Sequence, residues 1–179
     1  MPSEKSISVS RFNRETPDNQ QERLKTVGWV IGYVDGEGCF SVSLLRNATT
    51  KSGWQTFPEF VVTQSGKSKA SLEILRDFFG CGKIFVNRRY DNHREHIYRY
   101  CVRSQEELRE KIIPFFMENP LRTAKQKDFE HFSFILNQMR LKRHLTETGM
   151  HMIARRIEKM NHKKASRFFR ILRDQMLSA

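Results

Sequence analysis

The chain has 179 residues, enough for one domain with a substantial core, and 14 Phe supply apolar bulk although only 38% of the residues are hydrophobic. Its 32 Lys and Arg against 20 Asp and Glu give a formal net charge of +12, which favours a polyanionic partner, because cationic side chains release the counterions condensed on phosphates. Cys39, Cys81 and Cys101 form no CxxC pair, which argues against a disulfide framework; no apolar run approaches the ~20 residues of a membrane span; and the polar, acid-bearing start fits neither a secretory signal nor an organellar presequence.

Residues 1–22 read as a flexible polar lead-in. Leu24 to Val34 has the apolar spacing of a helix. From Cys39 to Arg46 the period changes to two, with Phe40, Val42 and Leu44 on one side, which predicts a half-buried strand. Asn47 to Gly53 reads as a hairpin turn, and Trp54 to Gln64 as a second strand, whose Pro58 implies an edge or bulge position. Ser68 to Phe79 is an amphipathic helix, with Ser68 or Ser71 as its cap and Gly80 as its stop. Lys83–Arg89 and Ile97–Arg103 alternate again around a turn at Asp91–Glu95. Ser104-x-x-Glu107 has the form of a capping box and opens a helix to about Met117. Beyond Pro120 the pattern is helical, over about Ala124–Lys142, Glu147–Met160 and Lys163–Leu177. The order α-ββ-α-ββ-α predicts an α+β fold: a four-stranded antiparallel sheet with helices on one side and the other side free for a ligand. We divide the chain into a polar segment 1–22, a core 23–142 and a basic helical extension 143–179. Residues 122–179 hold 14 Lys and Arg against 5 Asp and Glu, so the C-terminal third carries most of the net positive charge, and its helical tail suits sequence-blind phosphate contact.

The stretch Val30-Ile31-Gly32-Tyr33-Val34-Asp35-Gly36-Glu37-Gly38 carries the chemistry. Gly28, Gly32 and Gly36 recur every four residues and so share one helix face. Each glycine costs roughly 1 kcal/mol relative to Ala inside a helix, and close approach of a second helix is the compensating use. With one such helix per chain, that partner comes from a second copy, which predicts a two-fold homodimer with Gly28, Gly32, Tyr33 and Asp35 in the contact. Glu37 then falls at the negative end of the helix dipole, where a cation is favoured. Two Glu37 carboxylates near the dimer axis are hard oxygen ligands suited to a divalent metal.

This stretch resembles the LAGLIDADG motif at all its typed positions, and the chain from about Thr26 to Leu136 resembles the LAGLIDADG homing endonucleases. Phe60-Val61-Val62-Thr63-Gln64 is similar to the end of the family's second strand. Gly80-x-Gly82 is similar to its turn into the third, and Leu121-Arg122-Thr123-Ala124-Lys125-Gln126-Lys127 to the segment that delivers a lysine to the active site. The resemblance implies Glu37 and Gly36 as metal ligands, with Mg²⁺ as cofactor, Mn²⁺ able to substitute and Ca²⁺ binding without supporting cleavage. It implies Gln64 as the residue that places water, and Lys125, with Lys127 as second candidate, as charge stabiliser or water activator. One motif in place of two implies the homodimeric branch.

The family resemblance places the sheet in the DNA major groove. The side chains that oppose the core face are Ser41 and Ser43, then Gln55 and Glu59, then Lys83, Asn87 and Arg89, and finally Arg99 and Arg103. Among these, Arg and Lys suit guanine, Gln and Asn adenine, and Glu cytosine. The function implied is site-specific double-strand cleavage, with staggered 3′ overhangs, of a long near-palindromic DNA target, promoting mobility of a host intron. The alternative is a maturase that binds intron RNA to assist splicing. Either role places the protein in the genetic compartment of that intron, whether bacterial cytoplasm, plastid or mitochondrion, away from any membrane.

Overall fold

A computed structural model describes residues 17–50, 53–88 and 96–160. Helix α1 (Pro17–Glu37) runs directly into strand β1 (Gly38–Arg46), which turns back into β2 (Trp54–Ser65). A 3₁₀ turn (Gly66–Ser68) leads to α2 (Lys69–Phe79), β3 (Lys83–Asn87) and β4 (Ile97–Val102). Helices α3 (Gln105–Glu107), α4 (Ile113–Glu118), α5 (Lys125–Arg140) and α6 (Glu147–Met160) complete the described chain. The four strands form one antiparallel sheet in the order β1-β2-β4-β3. The α+β architecture expected from the alternating periods is the one observed. The predicted turn at Asp91–Glu95, the helix at Lys163–Leu177 and Arg89 lie outside the described residues.

Two boundaries move. α1 begins at Pro17 rather than at Leu24, because a proline at the first helical position lacks only an N–H that the helix would leave unpaired there. At the other end α1 runs to Glu37, three residues past the Val34 at which the apolar spacing stops. Pro58 also sits differently from an edge strand: β2 is central, but only its Phe60–Ser65 half pairs with β4, so Pro58, opposite Val42 of β1, has a sheet neighbour on one side alone. An imino nitrogen with no hydrogen to donate is tolerated there.

Local signals explain the ends of the helices. Ser104 Oγ accepts from the Glu107 backbone N–H at 3.3 Å, the N-cap bond of the predicted box. Gly80 closes α2 with a left-handed φ of 58°, and Lys111 Nζ donates to its carbonyl at 2.5 Å. Between α3 and α4 the chain makes one π turn, Leu108–Ile112, in which the Ile113 N–H reaches back to the Leu108 carbonyl. Pro114 follows at once, and the wider turn accommodates a residue that has no N–H to give.

The core lies between the inner face of the sheet and the helices. Phe40 and Phe60, neighbours on β1 and β2, stack at 5.0 Å, and the Phe116, Phe129 and Phe132 rings lie 5.3–5.4 Å from Phe40. Val42, Val62, Tyr100 and Val102 extend this face. From α6, Ile153, Ile157 and Met160 join the same buried cluster, while Met150 and Ala154 pack on Leu44 and Trp54 at the far end of the first hairpin. β3 is the short edge strand, and its inward Val86 stays 45% exposed. No helix among the described residues is long and apolar enough to cross a membrane.

Gly38 at the α1–β1 corner is fixed by space. A Cβ there would lie 2.6 Å from Val34 Cγ1 and 2.7 Å from the Val34 carbonyl oxygen. We expect Gly38→Ala to lower the unfolding free energy by about 2 kcal/mol, as overpacking does, measured by urea denaturation; an unchanged midpoint would show that the corner relaxes freely.

Candidate active site at the end of helix α1

The typed residues of the motif divide by face. Val30 and Val34 point inward and are fully buried. Gly28, Gly32 and Gly36 are exposed on another face, where an added Cβ would meet nothing within 4 Å. Trp29 lies beside them, 39% exposed and stacked on Tyr33 at 4.9 Å. The three glycines therefore leave one face of α1 open in the single chain.

The negative end of α1 is already engaged by a cation from this chain. Lys125, the first residue of α5, donates through Nζ to the carbonyls of Val34 at 3.0 Å, Asp35 at 2.9 Å and Gly36 at 3.2 Å. These are carbonyls of the last turn, which the helix itself cannot satisfy. Burial lowers the Lys125 pKa, against the opposing pull of Cys39, Asp35, Glu37 and Asp128. Lys127 is exposed on another side of α5, so the structure brings Lys125 to the motif and leaves Lys127 away from it.

Asp35 holds the same junction from the other direction. Its carboxylate accepts from the backbone N–H groups of Arg122 at 2.6 Å and Thr123 at 3.2 Å, and from the Thr123 hydroxyl at 2.7 Å. Desolvation would raise its pKa, but those donors and nearby Lys125 outweigh it and hold the carboxyl below its ordinary range. Glu37 stays exposed beside this junction.

Gln64 sits at the end of β2 on the inner-face side, opposite Tyr98. Its side chain meets the Tyr33 hydroxyl, one turn before Glu37. That hydroxyl also bonds Ser71 Oγ at 2.5 Å, and since Ser71 donates to the Ser68 carbonyl at 2.6 Å, Tyr33 is the donor to Ser71. Burial raises the Tyr33 pKa. Ser71 therefore bonds back into the first turn of α2, whereas Ser68, at the N-cap, makes no side-chain cap bond.

The outer face of the sheet carries the expected alternation. Ser41 and Ser43 face Glu59 and Phe57 across the first hairpin, and Gln55 faces Leu45. Arg99 stands between Thr63 and Phe85, and Lys83 and Asn87 are exposed on the edge strand. Glu59 is bonded to Arg99 and Arg103 rather than free, and Asn47 Nδ2 donates to Gln55 Oε1 at 3.0 Å.

Three groups at the junction went unnoticed in the sequence: Asp128, Thr123 and Cys39. Asp128 follows Lys125 by three residues and so shares its helix face, a signal that was present. Thr123 and Cys39 are placed only by the meeting of α1 with the loop before α5.

Among the described residues no group of three or more His, Cys, Asp or Glu could hold a metal ion by itself. Glu37 and the Gly36 carbonyl are hard oxygen donors of the kind a divalent ion takes, and both stand at the open glycine face, with Lys125 Nζ donating to that carbonyl.

The family model described as LAGLIDADG endonuclease matches residues 30–136, more than half of the chain. The chain belongs to the LAGLIDADG endonuclease family. The crystal structure of the homing endonuclease I-TnaI is similar at 38% identity, with a TM-score of 0.73, covering 83% of this chain and 96% of that one. I-SmaMI bound to uncleaved DNA target in the presence of calcium ions is similar at 32% identity and a TM-score of 0.73, over 82% of this chain and 48% of that one. The probable intron-encoded endonuclease 3 of Neurospora crassa is 33% identical over 141 residues, 77% of this chain and 25% of the relative. The chain thus spans about a quarter of that curated relative's length and about half of I-SmaMI.

The depressed Asp35 pKa sets a pH signature. Its stabilising contribution is fully present above the ordinary value of 3.8 and is lost as pH falls through the lower folded value. We expect Asp35→Asn to cost about 1 kcal/mol at neutral pH, below the usual contribution of bonds to a charged acceptor because this one is partly solvated. In thermal unfolding across a pH series, the gap between variant and wild type should close in acid. Curves that stay parallel would mean that the charge is not the source.

Proposed function

We propose that two copies of this chain assemble through their glycine faces into a homodimer that binds double-stranded DNA along the outer faces of both sheets and hydrolyses one phosphodiester on each strand. The observation that carries this reading is the meeting of Glu37 and Lys125 at the open end of α1. A carboxylate and a partly desolvated ammonium stand there beside a surface that accepts a second helix. The overlap with about half of I-SmaMI supports it, because two copies would supply what that longer chain carries alone.

In the dimer Glu37 and the Gly36 carbonyl would hold divalent metal, Mg²⁺ in the first place, with Mn²⁺ able to substitute and Ca²⁺ binding without supporting cleavage. The metal would polarise the phosphate and supply an activated water. On metal binding Lys125 would leave the Gly36 carbonyl and turn toward the phosphate, where it would stabilise developing charge, and its lowered pKa lets it give or hold a proton closer to neutrality than a free lysine. Gln64 orients water through its amide, with Tyr33 and Ser71 fixing the amide's position. On the outer face Ser41, Ser43, Gln55, Lys83, Asn87, Arg99 and Arg103 meet base edges, each half-site being read alike, so the target is nearly palindromic.

A second reading, RNA binding in aid of intron splicing, has the basic face of α6 in its favour. His151, Arg155, Arg156 and Lys159 line one open cleft on the side of that helix away from its buried stripe. Arg156 is held there, 4.3 Å from the Phe134 ring and 3.2 Å from His131 Nδ1.

The test is cleavage of a randomised duplex library with Mg²⁺ by the full chain and by Glu37→Gln and Lys125→Met. We expect a near-palindromic site cut by wild type, bound but not cut by Glu37→Gln, and cut roughly 10²- to 10³-fold more slowly by Lys125→Met. Sedimentation should give a dimer. Binding of structured intron RNA with no duplex cut under any condition would favour the second reading.

A further inference from the structure

Three charged side chains on the outer face of the sheet form one cluster. The Glu59 side chain is only 12% exposed, and each of its oxygens takes a guanidinium: Arg99 Nη2 donates to Oε1 at 3.1 Å, and Arg103 Nε donates to Oε2. The arginines themselves remain 39% and 42% exposed. Arg103 also lies over the Phe85 ring at 5.1 Å and the Phe57 ring at 5.8 Å. One strand thus supplies an anchor and its neighbour two cations whose tips stay in solvent.

We infer that Glu59 is a positioning residue that fixes Arg99 and Arg103 as a pair of guanine readers, so that each half-site carries guanine at two positions. The inference rests on the reading that this face meets DNA. A carboxylate so little exposed, with a cation on each oxygen, has no free edge for a cytosine amino group. Releasing either arginine would leave a desolvated charge short of a partner. Each bond to Glu59 uses one of the five N–H donors of a guanidinium, and the remaining fork matches guanine O6 and N7. A flexible arginine must surrender its rotamers when it binds; these two are already held by Glu59, and the Phe57 and Phe85 rings hold Arg103 further. Glu59 also cancels one of the two positive charges, which weakens indiscriminate attraction to phosphate. The anchor therefore trades general affinity for discrimination.

The base preferences of the full chain and of Arg99→Ala, Arg103→Ala, Glu59→Ala and Glu59→Gln can be read by binding selection from a randomised duplex without metal. Each arginine variant should lose guanine preference at one position, roughly 5- to 150-fold for a bidentate contact. Glu59→Ala should weaken preference at both of those positions by about ten-fold and leave the others intact. It should also bind random-sequence duplex more tightly, with a salt dependence steeper by up to about one unit of slope. Glu59→Gln should keep part of the preference and show the same tighter non-specific binding, which a purely structural role would not produce. Should Glu59→Ala fail to fold by circular dichroism, the Gln variant decides alone. Loss of a cytosine preference at a separate position, with both guanines kept, would make Glu59 a direct reader and overturn the inference, as would an unchanged profile. A chain that selects a defined site yet cuts nothing defeats the nuclease reading, and the bound sequences still decide this one.

Discussion

Everything at this site depends on how the last turn of α1 is closed. A helix ends with carbonyls it cannot satisfy and a partial negative charge, and here a lysine ammonium takes three of them at 2.9–3.2 Å. The motif answers with an anion of its own, since Asp35 holds the backbone of the loop that carries the lysine. Cation and anion lock the same two segments in opposite directions. Glu37 is thereby presented on a helix end that has no freedom to fray, and the glycine face beside it is kept straight and clear.

The corner that follows propagates this order into the sheet. Gly38 leaves α1 against Val34 with no room for a side chain, so β1 starts in one phase only. Phe40 and Val42 must then face the aromatic core and Ser41 and Ser43 the outside. Because cross-strand neighbours share a face, the phase set at Gly38 passes through Val62 to β4 and then to β3. A one-residue slip anywhere along this relay would turn Arg99 and Arg103 into the core.

Much of this was legible in the residues. The period-two strands, the Ser104 cap, the Gly80 stop and the outward parity of the described strand residues all follow from local spacing, and the structure keeps them. What was not legible depends on partners far along the chain. Asp35 read as a dimer contact because nothing near it suggests a loop beginning at Arg122. Glu59 read as a base contact suited to cytosine, since its link to Arg99 and Arg103 exists only once β2 and β4 pair. Pro58 read as an edge marker because sequence shows a strand's length and not how much of it a neighbour covers. The role of Lys125 came from resemblance, and its position at the carbonyls of α1 is a matter of tertiary contact alone.

The distance along the chain between the two halves of that junction has a further consequence. The bonds from Lys125 to α1 span 89 to 91 residues, and those from Asp35 to the following loop 87 to 88, whereas the β1–β2 hairpin closes over a short turn. Contacts of such separation carry the largest loop-closure entropy and form late. During synthesis the motif helix leaves the ribosome well before its lysine exists, and the β1–β2 hairpin can form in the interval. A nascent or truncated chain would then carry the motif carboxylates before the lysine that closes their helix end, so that the site is completed only after the hairpin beside it.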